Sequence, residues 1–245
     1  MNLVFAAFGN REHFPNAIKA AKERSGCNVH VVSNIPSISE GSVLCSPSML
    51  HCKSDKLINT WYLTHIKWFI LLWYCKKYNV GFPVYAPDWD TLVMHNVDGL
   101  LSSIKDYDIM HVFEPEQHVT SAAVVIRSLD ILEEYCKFVD NWGDEPFEYE
   151  DYSDMSAWRV LIRTKPLKIV NLGEERDGGV FDSNIFLGKD VYEHDGVGKK
   201  VFFIDGKPHF KRLSDGKLLK AYCLHCWGVY KNRTGELMSK AGLRA

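Results

Sequence analysis

Three features are scarce or missing in this 245-residue sequence: charge of one sign, long apolar runs, and paired cysteines. Lysine and arginine number 29 against 31 aspartates and glutamates, so at a net charge of −2 no overall basic field favours nucleic acid. The most apolar run, "WFILLWYC" from Trp68, is far too short to span a bilayer. Met1 opens directly on "NLVFAAFG", which has neither a basic start nor a small-residue cleavage site, so no targeting segment is expected. The seven cysteines are odd in number, and only Cys223 and Cys226 form a CxxC. With His225 between them they fall short of the four ligands of a structural zinc, and reduced thiols that pack around the His225 segment are expected. The chain thus reads as soluble and cytoplasmic, with no internal repeat, low-complexity run or linker to divide it.

What is present is an α/β pattern. "LVFAAFG" is a short apolar run closed by glycine, followed by "FPNAIKAAKERSG", a helix with Pro15 in its first turn and Gly26 at its stop. "CNVHVVSN" is a second strand, and this β-α-β opening implies neighbouring parallel strands. The segment from Asp55 to Lys77 reads as a long helix, apolar nearly all round and therefore sandwiched in the core. Its polar exceptions include Thr64 and Lys67. "DIMHVF", "SAAVVIRS", "KIVNL" and "KVFFID" read as strands; "LDILEEYCKFVDNW" and the stretch after Ser153, a serine suited to N-capping, read as helices. The pattern predicts one α/β domain over residues 1–245, with a mostly parallel central sheet flanked by helices. The residues from Tyr222 onward are expected to fold back over a core already complete without them.

The stretch "VYAPDWDTLVMHN", Val84 to Asn96, looks like a buried strand interrupted by Pro87, Asp88, Trp89 and Asp90. Burying an unpartnered carboxylate costs several kcal/mol or more, so these aspartates either face water at a turn or meet a cation. Ligands of open α/β sheets bind outside the carboxyl ends of the strands. Phe8-Gly9-Asn10, Ser33-Asn34 and Asp88-Trp89-Asp90 all fall at such ends. Near the chain's end, "LHCWGVYK" adds His225, Gly228 and Lys231.

Asp88-x-Asp90 after a strand, with His225-x-x-Gly228-x-x-Lys231 far downstream, resembles the nucleotide-sugar glycosyltransferases of the GT-A fold. The DxD and HxxGxxK pair is similar to that of glycosyltransferase family 8. The chain departs from that family's pattern after the lysine, where Asn232-Arg233 replaces Pro-Trp, and at Ser121-Ala122-Ala123. The resemblance implies a Mn²⁺ or Mg²⁺ site on Asp88, Asp90 and His225, oxygen and imidazole donors that suit Mn²⁺. It implies Lys231 on the pyrophosphate of a donor, a UDP-sugar, and transfer to a hydroxyl on a glycan, glycoprotein or other acceptor. Phe8, Gly9, Asn10, Ser33, Asn34, Thr64, Lys67, Asp88, Trp89 and Gly228 would line the donor, with residues 1–100 as nucleotide-binding half and 101–245 as acceptor half. Asp154 would be the catalytic residue, binding the donor sugar or lying beside its reacting carbon.

Each assignment has an alternative. A lone DxD is common on exposed turns, and His225 could be a core histidine with its polar atoms satisfied. Lys67 either snorkels or points at phosphate. Asp154 could simply favour a helix N-terminus. Asp182, in "GGVFDSN", reads as a turn aspartate; Trp89 and Trp227 could stack on a base or sugar, though packing is the commoner fate of tryptophan. Two rival functions use the same residues: a GT-A-like domain that binds nucleotide or glycan without turnover, and a metal-dependent phosphoesterase or nucleotidyltransferase. The absence of a glycine-rich, lysine-containing opening loop counts against the nucleotidyltransferase.

Overall fold

A computed structural model of the protein describes residues 1–7, 13–35, 41–46, 49–50, 62–113, 119–142 and 153–243. Phe8, Gly9 and Asn10 lie outside the described residues, as does the predicted helix before residue 62. In chain order the strands of the main sheet are β1 (Asn2–Ala7), β2 (Asn28–Ser33), β3 (Val43–Leu44) and β4 (Val84–Pro87), then, beyond a three-residue strand of another sheet, β6 (Ile109–Phe113), β7 (Val119–Ile126) and β8 (Ile169–Asn171). They lie in the order β3-β2-β1-β4-β7-β6-β8, and only β7 runs against the rest. Six carboxyl ends therefore share one edge.

Alternation along these strands divides the core into two layers. Leu3 and Phe5 of β1, Tyr85 of β4 and Val125 of β7 face one way; Val4, Val84, Ala86, Val124 and Ile126 face the other. The second layer is covered by α2 (Tyr62–Tyr78), α4 (Leu129–Trp142) and α5 (Asp154–Thr164). Sandwiching explains why α2 is apolar all round: Ile66, Trp68, Phe69, Ile70 and Leu71 are all buried. Ser153 does cap α5, its hydroxyl accepting from the Ser156 backbone N–H at 3.3 Å.

The first layer is covered by α1 (Phe14–Arg24), α3 (Asp98–Ser103), α6 (Thr234–Lys240) and a second sheet. Gly26 ends α1 at φ +73°, where a Cβ would also stand 2.5 Å from the Asn96 side chain. The second sheet holds β5 (Thr91–Val93), β9 (Gly179–Phe181), β10 (Val201–Ile204), β11 (Lys207–Lys211) and β12 (Leu218–His225). Its order is β10-β11-β12-β5, with β9 parallel to β12.

Two expectations change here. The stretch from Val84 is not one interrupted strand: β4 belongs to the main sheet and β5 to the second, and Asp88-Trp89-Asp90 is the corner between them. The tail from Tyr222 is not an addition to a finished core. Tyr222, Cys223, Leu224 and Cys226 are buried, and β12 pairs with β5, β9 and β11. Cys223 and Cys226 are free thiols, as are the other described cysteines. Among the described residues, no helix is long and apolar enough to cross a membrane.

Candidate metal centre and the corner that builds it

The corner is held by its own backbone and by β12. Thr91 N–H donates to the Asp88 carbonyl at 3.1 Å, and Cys226 N–H donates to the Asp90 carbonyl at 2.9 Å. The Thr91 hydroxyl donates to the Ala122 carbonyl at 3.2 Å, tying the corner to β7. Antiparallel pairing sets His225 opposite Thr91 and so delivers its ring to the two aspartates, 135 residues after Asp90.

There His225 Nε2 lies 3.3 Å from Asp90 Oδ1 and 3.9 Å from Asp88 Oδ2. Asp88, Asp90 and His225 each offer one ligand atom, all within 4.8 Å of one another, the one such group of three among the described residues. His225 Nδ1–H donates to the Ser183 carbonyl, which leaves Nε2 as the nitrogen turned toward the carboxylates. Two carboxylates and an imidazole lone pair facing one point suit a proton on Nε2 or a cation. This donor set fits a hard or borderline divalent ion such as Mn²⁺.

Two lysines complete the cluster. Lys231 Nζ lies 3.0 Å from Asp90 Oδ2. Lys67 does not snorkel; it is buried, donates to Asp88 Oδ1 and reaches Asp154 Oδ2 at 3.3 Å. Asp154 also accepts from Trp68 Nε1 at 3.0 Å, and its backbone N–H donates to Thr64 Oγ1 at 3.3 Å. Behind it Trp68, Tyr135 and Trp158 form an aromatic wall, the last two stacked at 4.0 Å. Asp154 is therefore more than a helix-dipole carboxylate.

Burial raises the Asp88 carboxyl more than the Lys67 charge lowers it. Burial would also raise Asp90, but His225 and Lys231 outweigh it and hold that carboxyl well below its usual range. For His225 burial opposes the charge, yet Asp90 and Asp88 bring its pKa from 6.5 up to about 9. A pKa raised on folding stabilises the protein fully below the unfolded value and ceases to do so as pH climbs through the folded one. Without metal, raising the pH from 6.5 to 9 should cost the wild type stability that His225→Asn does not lose over the same window. The shift sets an upper limit of about 3 kcal/mol. Thermal melts of both proteins in EDTA check this; parallel profiles would contradict it.

The remaining predicted residues sit around this cluster or apart from it. Gly228, at φ +60°, opens a 3₁₀ turn over Gly228–Arg233 that carries Lys231 back to Asp90; a Cβ there would stand 3.2 Å from the Phe186 ring. Trp89 is half-buried and packs on the first core layer. Trp227 was expected to pack but is 55% exposed, edge-on to Phe186. Ser33 and Asn34 end β2, two strands from β4; Ser33 is buried, its hydroxyl accepting from Ile35 N–H at 3.0 Å.

Asp182 is the clear correction. It is not a turn aspartate in solvent but 1% exposed, at the end of β9. It accepts from Lys199 Nζ at 2.6 Å and from the His225 backbone N–H at 3.0 Å. A signal existed in the sequence: "GVFD" repeats the pattern of "VYAPD", a buried apolar run closed by a carboxylate. Lys199, in "GKK", gave none.

No family model matches the sequence, and no curated protein matches it. The fold is that of the GT-A glycosyltransferases. A glycosyltransferase involved in the glycosylation of the major capsid of PBCV-1 superposes with a TM-score of 0.56 over 96% of this chain and 98% of its own, at 10% identity. The galactosyltransferase LgtC, in complex with donor and acceptor sugar analogs, superposes with a TM-score of 0.53 over 99% of this chain and 95% of its own, at 12% identity. The glycosyltransferase GlyE of Streptococcus pneumoniae TIGR4 aligns with 69% of this chain at 16% identity and a TM-score of 0.48, and the chain spans 44% of GlyE. At such identities the likeness is one of fold.

Proposed function

We propose that the protein transfers a sugar from a nucleotide-diphosphate sugar, a UDP-sugar, to an acceptor hydroxyl, with Asp88, Asp90 and His225 holding Mn²⁺ or Mg²⁺. The observation that carries this reading is the convergence of those three ligand atoms within 4.8 Å at the corner leaving β4, on the carboxyl edge of a GT-A sheet. A divalent cation bound there would neutralise the charge that grows on the diphosphate as the bond to the sugar breaks. Residues 1–100 would bind the nucleotide, with Ser33 and Asn34 at the end of β2, and 101–245 would receive the acceptor.

The protein's own groups divide the work. Lys231 is about one-third exposed where it meets Asp90, so it can turn from that carboxylate to the pyrophosphate when donor arrives. Gly228 lets the same turn approach phosphate closely. Asp154, held by Lys67, Trp68 and Thr64, would orient the sugar at the reacting carbon. Incubating the protein with UDP-, GDP- and dTDP-sugars, with Mn²⁺ or with EDTA, tests the reading. Metal-dependent release of nucleotide diphosphate from one donor is expected; UDP affinity unchanged by EDTA would sink it.

Lys231→Ala should weaken UDP binding by about tenfold or more and leave uridine affinity unchanged, because the lysine's charge meets only phosphate. Calorimetry with both ligands decides, and equal losses would place Lys231 away from the pyrophosphate.

One observation favours a second reading, a nucleotide- or glycan-binding domain without turnover. Lys67 pairs with Asp88 and Lys231 with Asp90, so the charge of the two aspartates is already met by the protein's own cations. Donor that binds but is never consumed across the same panel would select it, and phosphomonoester release would select a phosphoesterase.

A further inference from the structure

The buried ion pair of Lys199 and Asp182 stands one residue layer behind the metal centre. Its charged groups are 5% and 0% exposed, and the desolvation of such a pair commonly cancels its attraction, so stability alone does not account for it. The cavity beside it, about 180 Å³, presents Phe113, Leu187, Val191 and Tyr192, none of which offers Lys199 a counter-charge.

What the pair touches is more telling. Residues 182–185 form a socket around His225. Asp182 Oδ2 accepts from the His225 backbone N–H at 3.0 Å, the Ser183 carbonyl accepts from Nδ1–H, and Ile185 N–H donates to the His225 carbonyl at 3.3 Å. Lys199 pins that socket at three points. Its ammonium donates to Asp182 Oδ1 at 2.6 Å and to the Asn184 carbonyl at 2.9 Å, and its backbone N–H donates to the Ile185 carbonyl at 2.7 Å. Every polar group of His225 except Nε2 is thereby committed to a segment that Lys199 holds in shape.

We propose that Lys199 and Asp182 are positioning residues that fix the His225 ring, so that Nε2 and no other atom faces Asp88 and Asp90. Neither touches the ligand point, and both act through His225. The consequence for metal affinity rests on the function proposed above; the orientation of the ring does not. Partners one step behind a metal ligand commonly change affinity by about 10- to 100-fold when removed.

The test uses the full-length chain. In wild type without metal, the Nδ1 proton of ¹⁵N-labelled His225 should be protected from exchange and visible by NMR, since Nδ1 carries it whether or not Nε2 is protonated. Lys199→Met should broaden or lose that signal and weaken Mn²⁺ binding, read by EPR, by about tenfold or more. Leu101→Ala, a core truncation in α3, supplies the control: it should lower thermal stability while leaving both readouts unchanged. If Lys199→Met fails to fold, Asp182→Asn combined with Lys199→Met removes the buried charge entirely and should show the same two losses. A protected Nδ1 proton and wild-type Mn²⁺ affinity in the folded variant would overturn the proposal. Should wild type bind no Mn²⁺, the metal reading fails, and the Nδ1 proton alone still decides whether Lys199 positions the ring.

Discussion

Asp90→Asn should leave a folded protein that has lost metal-dependent donor binding, with transfer reduced by about a thousandfold or more. The substitution keeps shape and removes one charge at a point 3% exposed to solvent. Lys231 pairs with that carboxylate and His225 faces it, so removing its charge takes one anionic ligand from the point and leaves the Lys231 ammonium beside any divalent ion. A thousandfold corresponds to about 4 kcal/mol, within what a divalent cation supplies to a developing phosphate charge. Mn²⁺ titration by EPR, with and without UDP, should show the site lost. Asp88→Asn should be milder for the fold, since burial already raises the Asp88 carboxyl and Lys67 keeps Asp154 as a counter-charge at 3.3 Å. Wild-type Mn²⁺ affinity in Asp90→Asn would remove Asp90 from the centre.

Ending the chain before Tyr222 should abolish folding, not merely activity. The cut removes half of β12, the strand that joins β5, β9 and β11, and it takes His225 and Lys231 with it. Tyr222, Cys223, Leu224, Cys226, Tyr230, Leu237 and Met238 are all buried in the first core layer. Each large apolar side chain lost is worth roughly 1.5–3 kcal/mol of burial, so Tyr222, Leu224, Tyr230, Leu237 and Met238 together rival the whole net stability of an ordinary domain. β5 would lose every pair it makes with β12, and β9 its pair at Phe181. Circular dichroism and thermal melts of the 1–221 fragment check this; a cooperative transition near that of the full chain would mean that the second sheet forms without the C-terminal half of β12.

Elements whose pattern is local were legible in the sequence. The β-α-β opening is written in two apolar runs and a helix with Pro15 and Gly26 at its ends. The uniform apolarity of α2 announced a sandwiched helix, and Ser153 announced the start of α5. The aspartates at the end of β4 were legible because a carboxylate beside a buried run demands a partner, and His225 with Lys231 because their spacing around Gly228 resembles the motif of glycosyltransferase family 8. By itself the sequence thus determined the α/β class, the mostly parallel sheet and the residues that could meet at its carboxyl edge.

Only the tertiary structure decided who meets whom. β5 and β9 are three residues each, too short for period-two alternation to register, so the second sheet and the corner at Asp88-Trp89-Asp90 were hidden inside what read as one strand. β12 looked like a tail because its neighbours in the sheet lie about 130 residues upstream at β5 and about 40 upstream at β9. Asp182 closes a short apolar run in the sequence, but only the parallel pairing of β9 with β12 set it against the backbone of His225 and opposite Lys199. An ion pair between residues 17 apart with no shared periodicity leaves no mark on sequence, because its attraction depends on distance and burial, which the fold alone creates.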